Sequence, residues 1–341
     1  MRLGYRRELD GLRGVAIVAV TAYHFGGHAR AGFYGVDLFF VLSGFLITTL
    51  LLEEWDGSAA ISFSSFYERR VRRLLPASLT ALLPISIYML MLDGPRHAAL
   101  TVAAGAFYAA NILHVVVHPD PLANSPIGHF WSLAEEEQFY LVWPLLLLTL
   151  LRRQARFIGH ALLGIAVVLA FYRIGLAYAG AGFRRLYFAP DTHADGIVLG
   201  CALAFFRDRW QPSRRLAGAA IAVFVWFAVF GDKASWPTYG LPLVEAASGI
   251  LVLYAASSHQ RLLASRPLVA VGAVSYGLYV YQGVAMWLFG FGQHVFAALS
   301  ITIVAAALSY RYVEQPIRRR RVTHIPASRP SSLGRSAPQI L

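Results

Sequence analysis

Long apolar runs, each interrupted by a few polar side chains, recur from one end of the chain to the other. A membrane-crossing helix needs roughly 20 mostly apolar residues, and the candidate spans on that basis are 12–29, 35–52, 76–92, 98–117, 133–151, 157–178, 192–206, 216–231, 240–257, 268–289 and 294–313. The first run continues through Tyr23 and His24 without the small-residue cleavage site of a secretory signal, so it reads as a span. Arginines cluster at 2–13, 69–73, 152–156, 207–215, 261–266 and 311–335, whereas 30–34, 118–131 and 290–293 hold a single basic residue, Arg30. Because basic loops stay inside, this bias places both termini in the cytoplasm and demands an even number of crossings. Eleven candidates break that parity. Making 98–117, with its Asn111 and His114, a re-entrant or buried segment restores it, and folding back 76–92 is the alternative. The pattern predicts an all-α, polytopic integral membrane helix bundle of about ten transmembrane helices in the cell's inner (cytoplasmic) membrane. It forms one domain over 1–322, followed by a polar cytoplasmic tail, 323–341, expected to be disordered.

Composition narrows the function classes. Of 341 residues 57% are hydrophobic and 14% charged, against about 25% charged in soluble domains, which excludes a soluble globule and a disordered chain. Cys201 is alone, so neither a disulfide framework nor a thiolate metal cage can form, and no metal is expected. The net charge is +12 and Lys233 is the only lysine. Since the arginines punctuate apolar runs, the excess fits the faces of a lipid bilayer better than a nucleic acid.

Titratable groups inside apolar runs are costly unless they face a cavity or a partner. Arg13 and His24 are eleven residues apart, three helical turns, so both project from one face with roughly 16 Å between them. Asp37 opens the second run, Glu135, Glu136 and Glu137 the fifth, and Asp191, His193 and Asp195 the seventh, while Glu314 closes the last. So many polar groups imply a water-accessible cavity. His24 is the best candidate for chemistry, as a neutral imidazole that accepts a proton from a hydroxyl. The bland alternative is a packing histidine bonded to a neighbouring carbonyl. The stretch Phe66–Pro76 has arginine at 69, 70, 72 and 73. It reads as a short amphipathic segment stopped by a proline, able to clamp phosphates or merely to anchor on lipid headgroups. In the segment His129–Tyr140, Ser132 and Glu135 have the spacing of a capping box, leaving Glu136 and Glu137 to be explained.

These motifs resemble, in order over about residues 5–320, the membrane-bound acyltransferase 3 family. The resemblance rests on Arg7–Gly14 followed by His24, on Gly32–Ile47, on Arg70-Val71-Arg72-Arg73, on Trp131-Ser132-Leu133 running into Glu136 and Phe139-Tyr140, and on Ser309–Pro316. It implies transfer of an acyl group, often acetyl, from cytoplasmic acyl-CoA to a hydroxyl of a sugar-containing acceptor. That acceptor is a surface glycan or, alternatively, a glycosylated natural product such as a macrolide. His24 and Arg13 match positions the family needs for activity, and Arg70 and Arg73 match its second essential pair. On physical grounds the donor's phosphates are expected on Arg70, Arg73 and nearby Arg69, its arm passing Arg13, with Glu136 or Asp37 holding the imidazole tautomer. Ser43, Trp131, Asp191, His193, Asp195 and Tyr279 become candidate substrate contacts. The chain departs from the family where Glu135 replaces valine, His193 replaces arginine and Gln282 replaces histidine. A transporter without chemistry would instead show repeated halves and helices broken at corresponding positions, and neither is visible.

Overall fold

The computed structural model describes residues 3–26, 32–123, 125–231, 235–290 and 294–319. The tail expected at 323–341, Arg30, and most of 290–293 lie outside them. The described residues are helical: α1 (Arg7–Gly26), α2 (Tyr34–Ser58), α3 (Phe63–Leu92), α4 (Gly94–Ala106), α5 (Ala110–Val116), α6 (Trp131–Arg152), α7 (Ile158–Tyr178), α8 (Phe183–Phe188), α9 (Pro190–His193), α10 (Asp195–Phe206), α11 (Arg214–Phe230), α12 (Leu241–Ser257), α13 (Arg266–Ala273), α14 (Ser275–Phe289), α15 (Val295–Ser309) and α16 (Gln315–Arg319). A 3₁₀ turn, Gly128–Phe130, precedes α6, and π-helical turns, Trp236–Gly240 and Tyr310–Glu314, adjoin α12 and α15.

Among the described residues five helices are long and apolar enough to cross a membrane: Tyr34–Ser58, Phe63–Met91, Ile158–Tyr178, Trp236–Ser257 and Val295–Arg318. The bent pair α13–α14, with 65° between its halves, is either a sixth, broken span or a re-entrant loop. The protein is therefore a multi-pass membrane protein. The expected ten is not reached by length and apolarity, because polar groups interrupt α1 and α6 and α11 is only 17 residues long. The 98–117 segment forms two short helices, α4 and α5, of 13 and 7 residues.

Two local expectations are corrected. The arginine stretch is not stopped at Pro76, because α3 runs through both Pro76 and Pro84. Pro76 has no N–H to give the Arg72 carbonyl four residues back, a single lost bond of the kind that membrane helices tolerate. Nor do Ser132 and Glu135 form a capping box. The residue before α6 is Phe130, with no side-chain cap, and Ser132 spends its hydroxyl on Tyr279 at 2.6 Å.

The bundle packs closely where glycines allow. α2 lies against α10. A Cβ on Gly44 would meet the Ile197 carbonyl oxygen at 2.0 Å, and one on Gly200 would meet that of Val41 at 2.0 Å. Small residues let membrane helices approach in this way, backbone to backbone. Where α1 meets α13, Gly14 and Gly272 do the same. Arg173, buried in α7, donates to Asp195 of α10 at 2.5 Å and to the Thr192 carbonyl at 2.9 Å. These contacts fix α1, α2, α7 and α10 around the interior that α6 and α14 complete.

Candidate active site

Four cavities succeed one another through the bundle, each sharing lining residues with the next. At one end a mouth of about 500 Å³ is lined by Arg13, Arg69, Arg72, Arg73 and Arg318, with Asp10. Arg13 and Arg73 also line the next cavity, of about 130 Å³, with Ser43, Arg70, Glu136 and Glu137. A constriction of about 50 Å³ follows, sharing Arg13, Glu136 and Tyr276 with it. That in turn shares Val36 and Tyr279 with a cavity of about 620 Å³, where His24 lies. α1 accounts for much of this order. It is one helix carrying Arg13 in the small cavities and His24 in the large one.

At the arginine end the cations are not equivalent. Arg70 stacks over the Tyr140 ring, 3.5 Å from its centroid, and pairs with Glu137 at 3.8 Å. Tyr140 also hydrogen-bonds Ser43. Arg69 reaches Glu54 at 3.7 Å, Arg72 reaches Glu68 at 2.5 Å and Arg318 reaches Glu314 at 2.9 Å. Arg13 and Arg73, the two that border both cavities, have no acidic partner within ion-pair distance among the described residues, and the Arg13 Nε is buried without a hydrogen bond. An unpaired, partly buried guanidinium is costly unless an anion completes it. This end is built to receive negative charge.

At the other end His24 Nδ1 lies 2.9 Å from the Val20 carbonyl oxygen. A carbonyl only accepts, so Nδ1 carries the proton and Nε2 keeps its lone pair, with no partner among the described residues. The packing bond and the basic nitrogen therefore coexist. The tautomer is held by the backbone one turn back, not by Asp37 or Glu136 as expected. Asp37 is bonded to His193 at 2.8 Å, and Glu136 lines the arginine cavity and the constriction.

The histidine cavity is walled by rings: Trp131, Tyr187, Phe188, Trp236 and Tyr279, with His129. His129 donates from Nε2 to the Tyr279 carbonyl at 2.8 Å, while the Tyr279 hydroxyl donates to the His129 carbonyl at 2.6 Å. This reciprocal lock ties the turn before α6 to α14. Gly283 leaves it room, since a Cβ there would come 2.2 Å from the His129 ring. His114, Asp120 and Arg184 form a polar knot on the same cavity, with His114 bonded to Asp120 at 2.7 Å and Arg184 to Asp120 at 3.4 Å.

Of the candidate substrate contacts, Trp131 and Tyr279 line the histidine cavity and Ser43 lines the arginine cavity. Asp191 is exposed and paired with Arg185 at 2.5 Å, Asp195 is buried against Arg173, and His193 is enclosed by protein. None of these three borders the row of cavities. The residues missed by sequence reasoning are His129, Tyr187, Trp236 and the His114–Asp120–Arg184 knot. Only His129, heading the Trp-Ser-Leu segment, carried a readable signal. Glu135 is 2% exposed with neither carboxylate oxygen bonded.

The family whose model is described as an acyltransferase domain matches residues 6–310. The chain belongs to the acyltransferase 3 family. The peptidoglycan O-acetyltransferase OatA of Listeria monocytogenes is 32% identical over 354 residues, covering 92% of this chain and 56% of that protein. A protein of Bacillus subtilis strain 168 provisionally named peptidoglycan O-acetyltransferase YrhL is 32% identical over 356 residues, covering 92% of this chain and 55% of that one. A Staphylococcus aureus strain MSSA476 protein, provisionally named an O-acetyltransferase, is 30% identical over 357 residues, with 94% and 58% covered. The chain thus spans little more than half the length of these relatives. No solved structure matches it.

Proposed function

We propose that this acyltransferase-family chain is a membrane O-acetyltransferase, moving an acetyl group from cytoplasmic acetyl-CoA to a hydroxyl of a sugar-containing acceptor, a cell-surface glycan. The observation that carries this reading is the His24 imidazole, its Nδ1 proton fixed on Val20 and its Nε2 unpartnered beside a cavity that adjoins, through voids with shared lining residues, an arginine-lined mouth. The names of the relatives, two of them peptidoglycan O-acetyltransferases, favour a glycan acceptor.

In this reading the donor's phosphates stay at the mouth, held by Arg13 and Arg73 with Arg69 and Arg70 nearby, and its slim arm threads the constriction. The acceptor hydroxyl gives its proton to His24 Nε2 as its oxygen bonds to the thioester carbonyl carbon. The carbon–sulfur bond breaks, the thiolate takes the proton from the imidazolium, and the products are the ester and the free thiol. No enzyme-bound acyl group is required. Positive-inside bias places the arginine mouth and both termini in the cytoplasm, with ten crossings of the cell membrane.

The test is the chain in liposomes with acetyl-CoA and a panel of peptidoglycan strands, other surface polysaccharides and a macrolide. Expected are thiol release matched by ester formation on a glycan, and a KM for acetyl-CoA raised about tenfold or more by Arg13→Gln or Arg73→Gln. Thiol release from none of the panel overturns the reading. The orientation is tested separately by adding one cysteine at a time. Cys201 is fully buried, so the parent chain stays dark to impermeant maleimides. Cysteines at the exposed positions 118, 119 and 123 are expected to label from outside, and protection there with labelling at 93–97 would refute the ten-crossing arrangement.

A further inference from the structure

Trp131, Tyr187 and Trp236, three rings of the histidine cavity's wall, share one support behind them. His193 is 1% exposed. Its ring stacks on Trp131 with centroids 5.1 Å apart and planes 22° apart, meets Trp236 edge-on at 5.1 Å, and lies 5.1 Å from the Tyr187 ring. Both nitrogens are engaged. Nδ1 donates to the Tyr187 carbonyl at 2.7 Å, and Nε2 shares a proton with the Asp37 carboxylate at 2.8 Å. The imidazole is thus clamped at both nitrogens, which leaves its flat face to carry Trp131. Turning the ring would break both hydrogen bonds at once.

Neither His193 nor Asp37 lines the cavity, so neither can touch an acceptor inside it. They act only through the rings they hold. A ring wall binds a sugar by packing against the apolar C–H face of the pyranose, and a wall already fixed in plane pays no ordering cost when it does so.

We infer that His193, held by Asp37, is a positioning residue that fixes this aromatic wall and thereby sets how tightly the acceptor's sugar ring binds. The inference rests on the acetyltransferase reading above, and separates the two ends of the row of cavities: His193 governs the acceptor, the arginines govern the donor.

The experiment measures both Michaelis constants for the full chain in liposomes, with acetyl-CoA and the best glycan of the panel. His193→Leu and Asp37→Ala are each expected to raise the acceptor KM about tenfold, and to leave the acetyl-CoA KM within about twofold. The double variant should be no worse than the poorer single one, because both changes release the same clamp. His193→Arg, a planar cation with donors on two edges, should restore the acceptor KM. If His193→Leu does not accumulate, His193→Gln replaces it and is read in the same way. An unchanged acceptor KM, or an acetyl-CoA KM that rises in step with it, overturns the inference while leaving the acetyltransferase reading intact. Absence of transfer by the parent chain overturns that reading, and the inference with it.

Discussion

Replacing His24 with alanine is expected to lower kcat for acetyl transfer by about a hundredfold to ten-thousandfold, the usual contribution of a positioned general base. His24 Nε2 is the cavity's basic nitrogen whose protonation state the backbone fixes, because the Val20 carbonyl claims the other proton. His129 does not stand in for it, since its Nε2 is spent on the Tyr279 carbonyl and the nitrogen it leaves unpartnered, Nδ1, is buried. The acetyl-CoA KM should hardly move, because of the guanidiniums proposed to grip the donor Arg13 lies roughly 16 Å away along the same helix and Arg69, Arg70 and Arg73 lie on another, α3. Alanine is the best helix former, so α1 should persist, and membrane abundance with helical circular dichroism checks that it does. A variant retaining a tenth or more of parental kcat would take His24 out of the chemistry.

Gly200→Leu is expected to abolish accumulation of the folded protein, and Gly200→Ala to lower the melting temperature clearly. A Cβ at this position meets the Val41 carbonyl oxygen at 2.0 Å. That atom is backbone and cannot turn aside, so α2 and α10 must separate. Overpacking a dense interface costs typically 1–3 kcal/mol, occasionally more, and here the same separation pulls on a buried pair, Asp37 of α2 with His193 just ahead of α10. Gly218 of α11 supplies the control, because a Cβ there meets nothing within 4 Å. Gly218→Leu should melt with the parent. Equal melting of Gly200→Leu and the parent would mean that the α2–α10 contact is not close.

The helical architecture was legible because apolar run length is a direct physical requirement of a bilayer. Arg13 and His24 were legible as a pair because helical periodicity turns a spacing of eleven into a shared face. What held His24 was not. Sequence shows carboxylates and suggests Asp37 or Glu136, but a carbonyl one turn back is present in every helix and leaves no mark in the residue code. Pro76 looked like a helix stop, but a proline takes away a single backbone hydrogen bond, and α3 continues through it. The aromatic wall escaped for another reason. With 22 Phe, 17 Tyr and 7 Trp in the chain, an aromatic residue carries little information about which cavity it borders. His193 and Asp37 were singled out as polar groups near span ends, but that they face each other, 156 positions apart, depends on how α9, just ahead of α10, is set beside α2.

The continuity of α1 works as a fixed gauge between the two ends of the row of cavities. Each residue of an α-helix advances 1.5 Å and turns about 100°. One residue inserted between Arg13 and His24 would barely lengthen the gap, yet would swing the imidazole a quarter-turn or more away from its cavity. A donor is therefore measured by how far its sulfur hangs from its phosphates, and related chains that differ in this stretch should do so in steps near a whole turn, never by a single residue.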